Sequence, residues 1–282
     1  MEPIPLCVSR SPGASTFAAL VLFVGALSLG VWVALGFVLH YYDAVRSGEP
    51  VAAGRIYVRA FVHEWISELA EALSYPLGVF WPAGAQRFDP DGGPPVVFVP
   101  GYGRNRGIFF VLYWRLRRYG YRNLYPLSIG ATTTSIIDLG DRLTTQIEAI
   151  SLLTGGQKVV AVCHSMGGLV LRSSLKRRPE TSVAKMITLG TPHNGTRLAH
   201  LGVGESCRQM RPGSAFLAEL KPGPAVPCVC LYSRLDNTVI PAISAALGDK
   251  VIAFEDLGHG TLLYAVEVFD MVLHELGQGN LS

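Results

Sequence analysis

Ser165, His259 and Asp236 are three side chains that could together support nucleophilic chemistry. Ser165 lies in the segment His-Ser-Met-Gly-Gly, directly after an apolar run at residues 159–162 that predicts a buried strand. A serine hydroxyl is a weak nucleophile, and it needs a base within hydrogen-bond reach that is itself oriented by a third group. Ser165 is therefore either an ordinary helix N-cap or a nucleophile presented on a sharp strand-to-helix turn.

His259 occupies the position expected of the base. It follows the last predicted strand and precedes the final predicted helix, and a solvated loop histidine is the alternative interpretation. The other histidines are less suitably placed: His40 adjoins the N-terminal apolar run, His63 lies on an amphipathic segment, His164 adjoins the serine, His193 and His200 come too early, and His274 lies within the last helix.

Asp236 is the candidate acid. It directly follows a predicted strand, from which its carboxylate could reach the far ring nitrogen of His259 and hold the imidazole in one tautomer. Glu255 and Asp256 remain alternatives, although they lie so close to His259 along the chain that the loop would have to double back.

Two backbone N–H groups are the candidate oxyanion donors. The N–H of Met166 follows the serine directly and lies at a predicted helix N-terminus, where the helix dipole favours negative charge. The N–H of Tyr102 lies in the loop Pro-Gly-Tyr-Gly-Arg-Asn after the first strand of the domain. That loop lacks the Gly-Lys-Ser/Thr ending of a phosphate-binding loop and fits no dinucleotide-binding pattern.

The elements that must position these residues alternate between strand and helix from about residue 95 onward. Short apolar runs ending in glycine or serine alternate with longer segments of helical periodicity. This pattern predicts an α/β fold with a mostly parallel sheet covered by helices on both faces. Ligands bind at the carboxyl ends of strands in such sheets, which is where Ser165 and Asp236 fall.

The N-terminal segment predicts a membrane anchor. Residues 16–39 are almost wholly apolar, and about 20 such residues suffice to cross a bilayer. A cleaved signal peptide is the alternative, but the run is longer than the usual ~7–15 residues and no clear small-residue cleavage site follows. Arg46, Arg55 and Arg59 after the span favour a cytoplasmic catalytic part, against Arg10 before it.

Residues 54–75 predict an amphipathic helix. Its apolar face would pack on the following domain or lie on the membrane surface; it comprises Val58, Val62, Trp65, Ile66, Leu69 and Leu73. Prolines and glycines at residues 75–95 then predict a linker that separates the anchor from the catalytic part. The anchor itself has no group for catalysis, so we expect it to contribute nothing to the chemistry.

Composition limits the remaining possibilities. A chain of 282 residues accommodates one sizeable domain and an appendage, and its net charge of +3 forms no basic stripe, so nucleic acid is not an expected partner. The spacing of the cysteines matches no zinc site. Cys228 and Cys230 are poorly placed to bridge each other, whereas Cys207 could pair with one of them outside the cytoplasm.

The motifs together resemble those of the bacterial lipases and esterases of the α/β-hydrolase superfamily. The resemblance covers about residue 94 to the C-terminus and rests on Pro-Gly-Tyr-Gly, Cys-His-Ser-Met-Gly-Gly, Leu-Gly-Thr-Pro-His-Asn-Gly-Thr, Tyr-Ser-Arg-Leu-Asp-Asn-Thr-Val-Ile-Pro and Gly-His-Gly-Thr-Leu-Leu. It implies the α/β-hydrolase fold, with Ser165 as nucleophile, Asp236 as acid, His259 as base, and Tyr102 and Met166 as oxyanion donors; His193 and Asn194 would be structural. Cys163 and Pro100 depart from the usual glycine and histidine.

The predicted organisation is a membrane anchor at residues 1–46 (span about 16–39), an amphipathic helix and linker at 47–94, and a catalytic domain at 95–282. The expected function is hydrolysis of carboxylic esters on lipid-like substrates, with no cofactor and no metal. An acyltransferase, thioesterase or lipid-remodelling deacylase with the same triad is the alternative, and a membrane-tethered binding module is a further one. Between residues 191 and 228, an excursion is expected to build an apolar acyl groove; it carries Leu198, Leu201, Phe216, Leu217 and Leu220.

Overall fold

The computed structural model describes residues 12–81, 88–178, 180, 182–248 and 250–277. Six parallel strands form a single sheet in the order β2-β1-β3-β4-β5-β6. The strands are β1 (Val96–Val99), β2 (Leu124–Pro126), β3 (Val159–His164), β4 (Val183–Leu189), β5 (Cys228–Ser233) and β6 (Lys250–Phe254). Every residue of β1, β3 and β5 is buried, as expected of central strands covered on both faces.

Helices cover both faces of the sheet, as the alternating pattern predicted. They are α3 (Phe110–Arg118), α4 (Ile136–Leu153), α5 (Met166–Arg177), α6 (Glu205–Gln209), α7 (Ala215–Glu219) and α8 (Val266–Gly277). Alternate residues of β1 face two separate cores, because successive side chains of a strand point to opposite faces. Val97 and Val99 pack in the core beneath α4 and α5, whereas Val96 and Phe98 pack in the core beneath α3 and α8.

Helix α1 (Pro12–Ser47) precedes the sheet domain. Within the described residues it is the one helix long and apolar enough to cross a membrane, with a qualifying segment from Leu20 to Ser47 and a mean hydropathy of 2.4. A signal sequence near an N-terminus has similar length and composition.

Helix α1 also contacts the sheet domain. His40 Nε2 lies 2.7 Å from the carbonyl oxygen of Arg234, and Asp43 pairs with Arg197. Gly36 lies so close to the loop after β5 that a Cβ atom there would clash with the carbonyl oxygen of Asn237. The expected separation of anchor and catalytic part is therefore wrong, because α1 is packed on the domain along its second half.

Helix α2 differs from its prediction in length and orientation. It runs from Gly54 to Phe80 and continues through Pro76 into the segment expected to be a linker. The three acids of its polar face, Glu64, Glu68 and Glu71, are buried against the sheet domain. Val58, Val62, Ile66 and Leu73 of the apolar face are exposed, so the interpretation in which that face packs on the domain is wrong.

Candidate active site

Ser165 lies on a strained turn between β3 and α5. Its φ is 54°, and it is the one non-glycine residue in the described part of the chain with a positive φ. Such a conformation costs of order 1–3 kcal/mol and persists where the surrounding structure imposes it. Cys163, in the place of the usual first glycine, is fully buried in β3, where its small side chain packs in the core. The turn therefore has the geometry of a nucleophile elbow.

Asp236 and His259 form the hydrogen bond expected of an acid–base pair. The Oδ2 atom of Asp236 lies 2.8 Å from Nδ1 of His259, and both side chains are buried. The other carboxylate oxygen accepts the backbone N–H groups of Thr238 and Val239 at 2.8 and 2.7 Å. The pairing leaves Nε2 of His259 available to a neighbouring hydroxyl.

The alternative acids face elsewhere. Asp256 lies 3.8 Å from the exposed Arg59, and Glu255 accepts a hydrogen bond from Arg234 at 3.0 Å. Neither carboxylate contacts the ring of His259, so the structure brings Asp236, and not these two, to the base.

Ser165 and His259 line the same cavity, which has a volume of about 350 Å³. Much of its wall is apolar, and it includes Leu29 and Trp32 of α1, together with Leu198, Ala199, Met210 and Val239. Of the five apolar residues expected from the excursion, Leu198 alone lines the cavity. Phe216, Leu217 and Leu220 are buried in the core beneath α5, and Leu201 is exposed.

The two candidate oxyanion donors lie beside Ser165. Helix α5 begins at Met166, so the first N–H groups of this helix are not used by its internal hydrogen bonds. Gly101 brings the loop after β1 so close that a Cβ atom there would be 2.8 Å from the Cβ atom of Ser165. Tyr102 lines the cavity, and its hydroxyl donates to the carbonyl oxygen of Val203 at 3.0 Å, which holds the loop in place.

Glu64 of α2 holds the segment that follows His259. Its Oε1 atom accepts the N–H of Gly260 at 2.8 Å, and its Oε2 atom accepts the N–H and the hydroxyl of Thr261 at 2.9 and 2.8 Å. Asn237 Oδ1 accepts the N–H of His259 itself at 3.0 Å. The base is therefore fixed from α2 and from the loop that carries Asp236.

Glu68 and Glu71 extend this acidic face into the cavity, where Arg104 pairs with both carboxylates. The Oε1 atom of Glu71 is buried and has no hydrogen-bond partner in the described part of the chain. Burial, partly opposed by Arg104, raises the pKa of Glu71 to about 7.

The acidic surroundings change the titration of the base. Burial alone would lower the pKa of His259, but Asp236, Glu64 and Glu71 favour the imidazolium and raise the pKa to about 9. The imidazole must be neutral to accept a proton from Ser165. With His259 as the base, we expect activity above this pKa and its loss as the pH falls through it.

We expect Glu64→Gln to shift the pH dependence of kcat/KM to lower pH. The substitution removes a negative charge that stabilises the imidazolium, so the pKa of His259 falls from about 9. The NH₂ group of the new amide also cannot accept the N–H of Gly260 or Thr261. One of these hydrogen bonds is therefore lost, and kcat should fall because His259 is held less firmly in position. The measurement is kcat/KM for a soluble ester between pH 6 and 10. The matched control is Glu267→Gln at an exposed position of α8, and an unshifted acid limb in Glu64→Gln would contradict the assignment.

His193 lies in a buried cluster with Cys228 and Cys230 that could in principle hold a metal ion, since their ligand atoms are within 4.8 Å of one another. Nη1 of Arg172 lies 3.3 Å from Nδ1 of His193, and a guanidinium can only donate. The neutral ring therefore carries its proton on Nε2, which lies 3.3 Å from Sγ of Cys230. This tautomer fits a hydrogen bond to sulfur and not a metal bond through Nε2.

Cys207 does not pair with either cysteine of β5. It lies on α6, lines the catalytic cavity and is a free thiol, as is Cys163. The possible disulfide to Cys228 or Cys230 is therefore absent from the described structure, and Cys228 and Cys230 have their sulfur atoms 3.8 Å apart.

The arrangement of strands, turn and helices is shared with known lipases. The structure of Aspergillus fumigatus lipase B has a TM-score of 0.62 to this chain at 23% identity, over 70% of this chain and 55% of the lipase. This chain has the α/β-hydrolase fold. A Bacillus licheniformis lipase, BlEst2 in its mature form, has a TM-score of 0.58 at 20% identity, over 69% of this chain and 95% of that chain.

Sequence comparisons agree with the resemblance predicted from the motifs. A sequence model of the palmitoyl protein thioesterase family matches residues 95–221 of this chain. A triacylglycerol lipase of Vibrio cholerae is 33% identical over 78 residues, which are 28% of this chain and 24% of that lipase. The chain therefore spans about half the length of the Aspergillus lipase and aligns with a quarter of the Vibrio enzyme. The chain is therefore similar in fold to lipases and, over parts of its sequence, to a thioesterase family and to a lipase.

Glu64, Glu71 and Arg104 are site residues that the sequence analysis missed. The available signal was the placement of Glu64, Glu68 and Glu71 on one face of a helix whose opposite face is apolar. None of these three acids has a lysine or arginine three or four residues away on the helix. Their partners, whether cations or N–H donors, must therefore come from another part of the chain.

Proposed function

We propose that this α/β-hydrolase is a membrane-anchored serine hydrolase that cleaves carboxylic esters through an acyl-serine intermediate. The observation that carries the proposal is the cavity lined by both Ser165, on its strained turn, and His259, which is paired with Asp236. Helix α1 would supply the anchor, and the arginines that follow it favour a cytoplasmic catalytic domain. The apolar cavity wall suits an acyl chain.

Acylation begins when Nε2 of His259 takes the proton of the Ser165 hydroxyl as the oxygen attacks the acyl carbonyl. The carbonyl π electrons move to oxygen, and the N–H groups of Met166 and Tyr102 stabilise that oxyanion. Each donor of this kind is worth roughly 2.7–4 kcal/mol in known enzymes. The tetrahedral intermediate then collapses, the bond to the leaving alcohol breaks, and His259 gives the alcohol its proton.

Deacylation repeats these steps with water. His259 removes a proton from water, the hydroxide adds to the acyl carbonyl of Ser165, and collapse of the second intermediate releases the carboxylic acid. The Ser165 oxygen recovers the proton from His259. Asp236 holds the imidazole in the required tautomer and stabilises the imidazolium of each step. The mechanism requires no cofactor.

A thioesterase is the second candidate, because the family model that matches residues 95–221 describes palmitoyl protein thioesterases. A matched pair of substrates, ethyl octanoate and S-ethyl thiooctanoate, separates the two functions. The two compounds have the same acyl chain and the same ethyl group, and they differ only in the oxygen or sulfur atom that joins them. An ester hydrolase should cleave both with comparable kcat/KM. Turnover of the thioester alone would assign the thioesterase function, and turnover of neither substrate would refute both functions. The Ser165→Ala variant measures the background rate of hydrolysis.

We expect kcat/KM to rise with acyl length from acetate to about octanoate. Each buried CH₂ contributes about 0.8 kcal/mol, or up to about fourfold per methylene, and the cavity offers an apolar wall from both α1 and the excursion. The measurement is kcat/KM for a series of 4-nitrophenyl esters with constant leaving group. A steady decrease from acetate upward would show that the apolar wall does not bind the acyl chain.

A further inference from the structure

Helix α2 exposes its apolar face and buries its acids. Between residues 60 and 80 its charged side chains are Glu64, Glu68 and Glu71, and all three are turned into the sheet domain. The outward side is built of large apolar residues, each between 42% and 82% exposed: Val62, Ile66, Leu73, Leu77, Val79 and Phe80. A helix on a water-facing surface has the opposite arrangement.

Helix α1 continues this apolar surface. The two helices lie side by side, with Nε1 of Trp65 donating to the carbonyl oxygen of Ala26 at 2.9 Å and the indole ring of Trp65 against Gly30. Residues 20–42 contain no Asp, Glu, Lys or Arg, and Leu27 and Val31 of α1 are more than half exposed. The exposed sides of residues 20–42 of α1 and 60–80 of α2 form one surface without Asp, Glu, Lys or Arg, which we call the α1–α2 face; the exposed Arg46, Arg55 and Arg59 lie outside it.

The catalytic cavity reaches this face. Leu29 and Trp32 of α1 and Glu68 and Glu71 of α2 line the cavity together with Ser165. Trp32 is also 44% exposed, so its ring marks the edge at which the cavity meets the α1–α2 face. An acyl chain lying against α1 would therefore meet Trp32 and Leu29 at the edge of the cavity that Ser165 lines.

We propose that the α1–α2 face contacts the acyl-chain region of a lipid leaflet and that acyl substrates enter the cavity from the lipid beside Trp32. The lipid is the occupant that fits, because the face includes the one described helix able to span a bilayer, and the exposed sides of residues 20–42 and 60–80 carry no Asp, Glu, Lys or Arg to match a polar partner. A surface in contact with lipid acyl chains must be apolar, and its backbone polar groups must form their hydrogen bonds within the protein. The substrate route rests on the proposed ester hydrolysis, whereas the lipid contact does not.

The test uses the full chain in phosphatidylcholine vesicles, with the environment-sensitive fluorophore NBD attached at one engineered cysteine. Ile66→Cys and Leu73→Cys place the label on the α1–α2 face, and Glu148→Cys on the exposed side of α4 is the matched control. Cys7, which lies outside the described residues, is replaced by serine. Nitroxide groups on the lipid acyl chains then quench any label that reaches the leaflet.

We expect blue-shifted emission and roughly threefold or greater quenching at residues 66 and 73 relative to residue 148. Equal quenching at all three positions would overturn the inference. Blue-shifted emission without quenching would also overturn it, since a second copy of the chain or another protein would then cover the face. The measurement requires no turnover, so an inactive protein with quenched labels would refute the proposed function alone.

Discussion

Replacing Ser165 with alanine should abolish ester hydrolysis and leave the fold intact. Loss of the nucleophile costs on the order of 10⁶-fold in kcat in well-studied serine hydrolases, because base and oxyanion hole then have no group to act on. Serine and alanine both carry a Cβ atom, so the strain at φ 54° is unchanged. The measurements are kcat for a soluble short ester and the midpoint of thermal unfolding.

Ser128→Ala is the matched control, since it removes an exposed serine hydroxyl at the carboxyl side of β2. This variant should keep wild-type turnover. A serine-reactive fluorophosphonate should label the wild type and Ser128→Ala but not Ser165→Ala. A folded Ser165→Ala protein with wild-type turnover would remove Ser165 from the mechanism, and a wild type that neither hydrolyses esters nor takes the label would fit a binding module.

Asp236→Asn should produce the second largest loss, of about 10⁴-fold in kcat by analogy with other triads. The asparagine would retain the shape but can present its NH₂ group to Nδ1 of His259, which favours the tautomer with the proton on Nε2. That tautomer cannot accept the proton of Ser165. The carboxylate also raises the pKa of His259, so any residual activity should have its acid limb at lower pH.

Asp256→Asn is the control for this substitution. Asp256 is partly exposed and its nearest charged partner is Arg59 at 3.8 Å, so we expect activity within about twofold of wild type. Comparable losses in the two variants, or a larger loss at residue 256, would reassign the acid. Circular dichroism should show that both variants are folded, because Asp236 also accepts two backbone N–H groups.

The sheet domain could be predicted from the sequence because its signals are local. The run that forms β3 and the glycines after Ser165 specify strand, turn and helix within about fifteen residues, and chain order then places Asp236 and His259 at the same sheet edge. The cavity wall depended on long-range packing. Phe216 looked equivalent to Leu198 in sequence, yet it is buried in the core beneath α5.

The orientation of α2 could not be predicted in the same way. Hydrophobic periodicity shows that a helix has two different faces, but the usual inference about which face points inward assumes water outside. Glu64 reverses that inference because its partners at Gly260 and Thr261 are almost two hundred residues away in sequence. The role of α1 in the cavity was missed for the same reason, because the sequence of an apolar helix does not indicate which distant residues the helix contacts.

The buried acids of α2 impose an order on biogenesis. Glu64 emerges from the ribosome long before the N–H donor of Gly260, which lies 196 residues later. At roughly 5–20 residues per second, that delay is about 10–40 s. During it Glu64 has no partner for its carboxylate, whose burial without one would cost several kcal/mol. Helix α2 must therefore wait in a hydrated position, and its docking, which completes the catalytic cavity, is a late event that follows synthesis of nearly the whole chain.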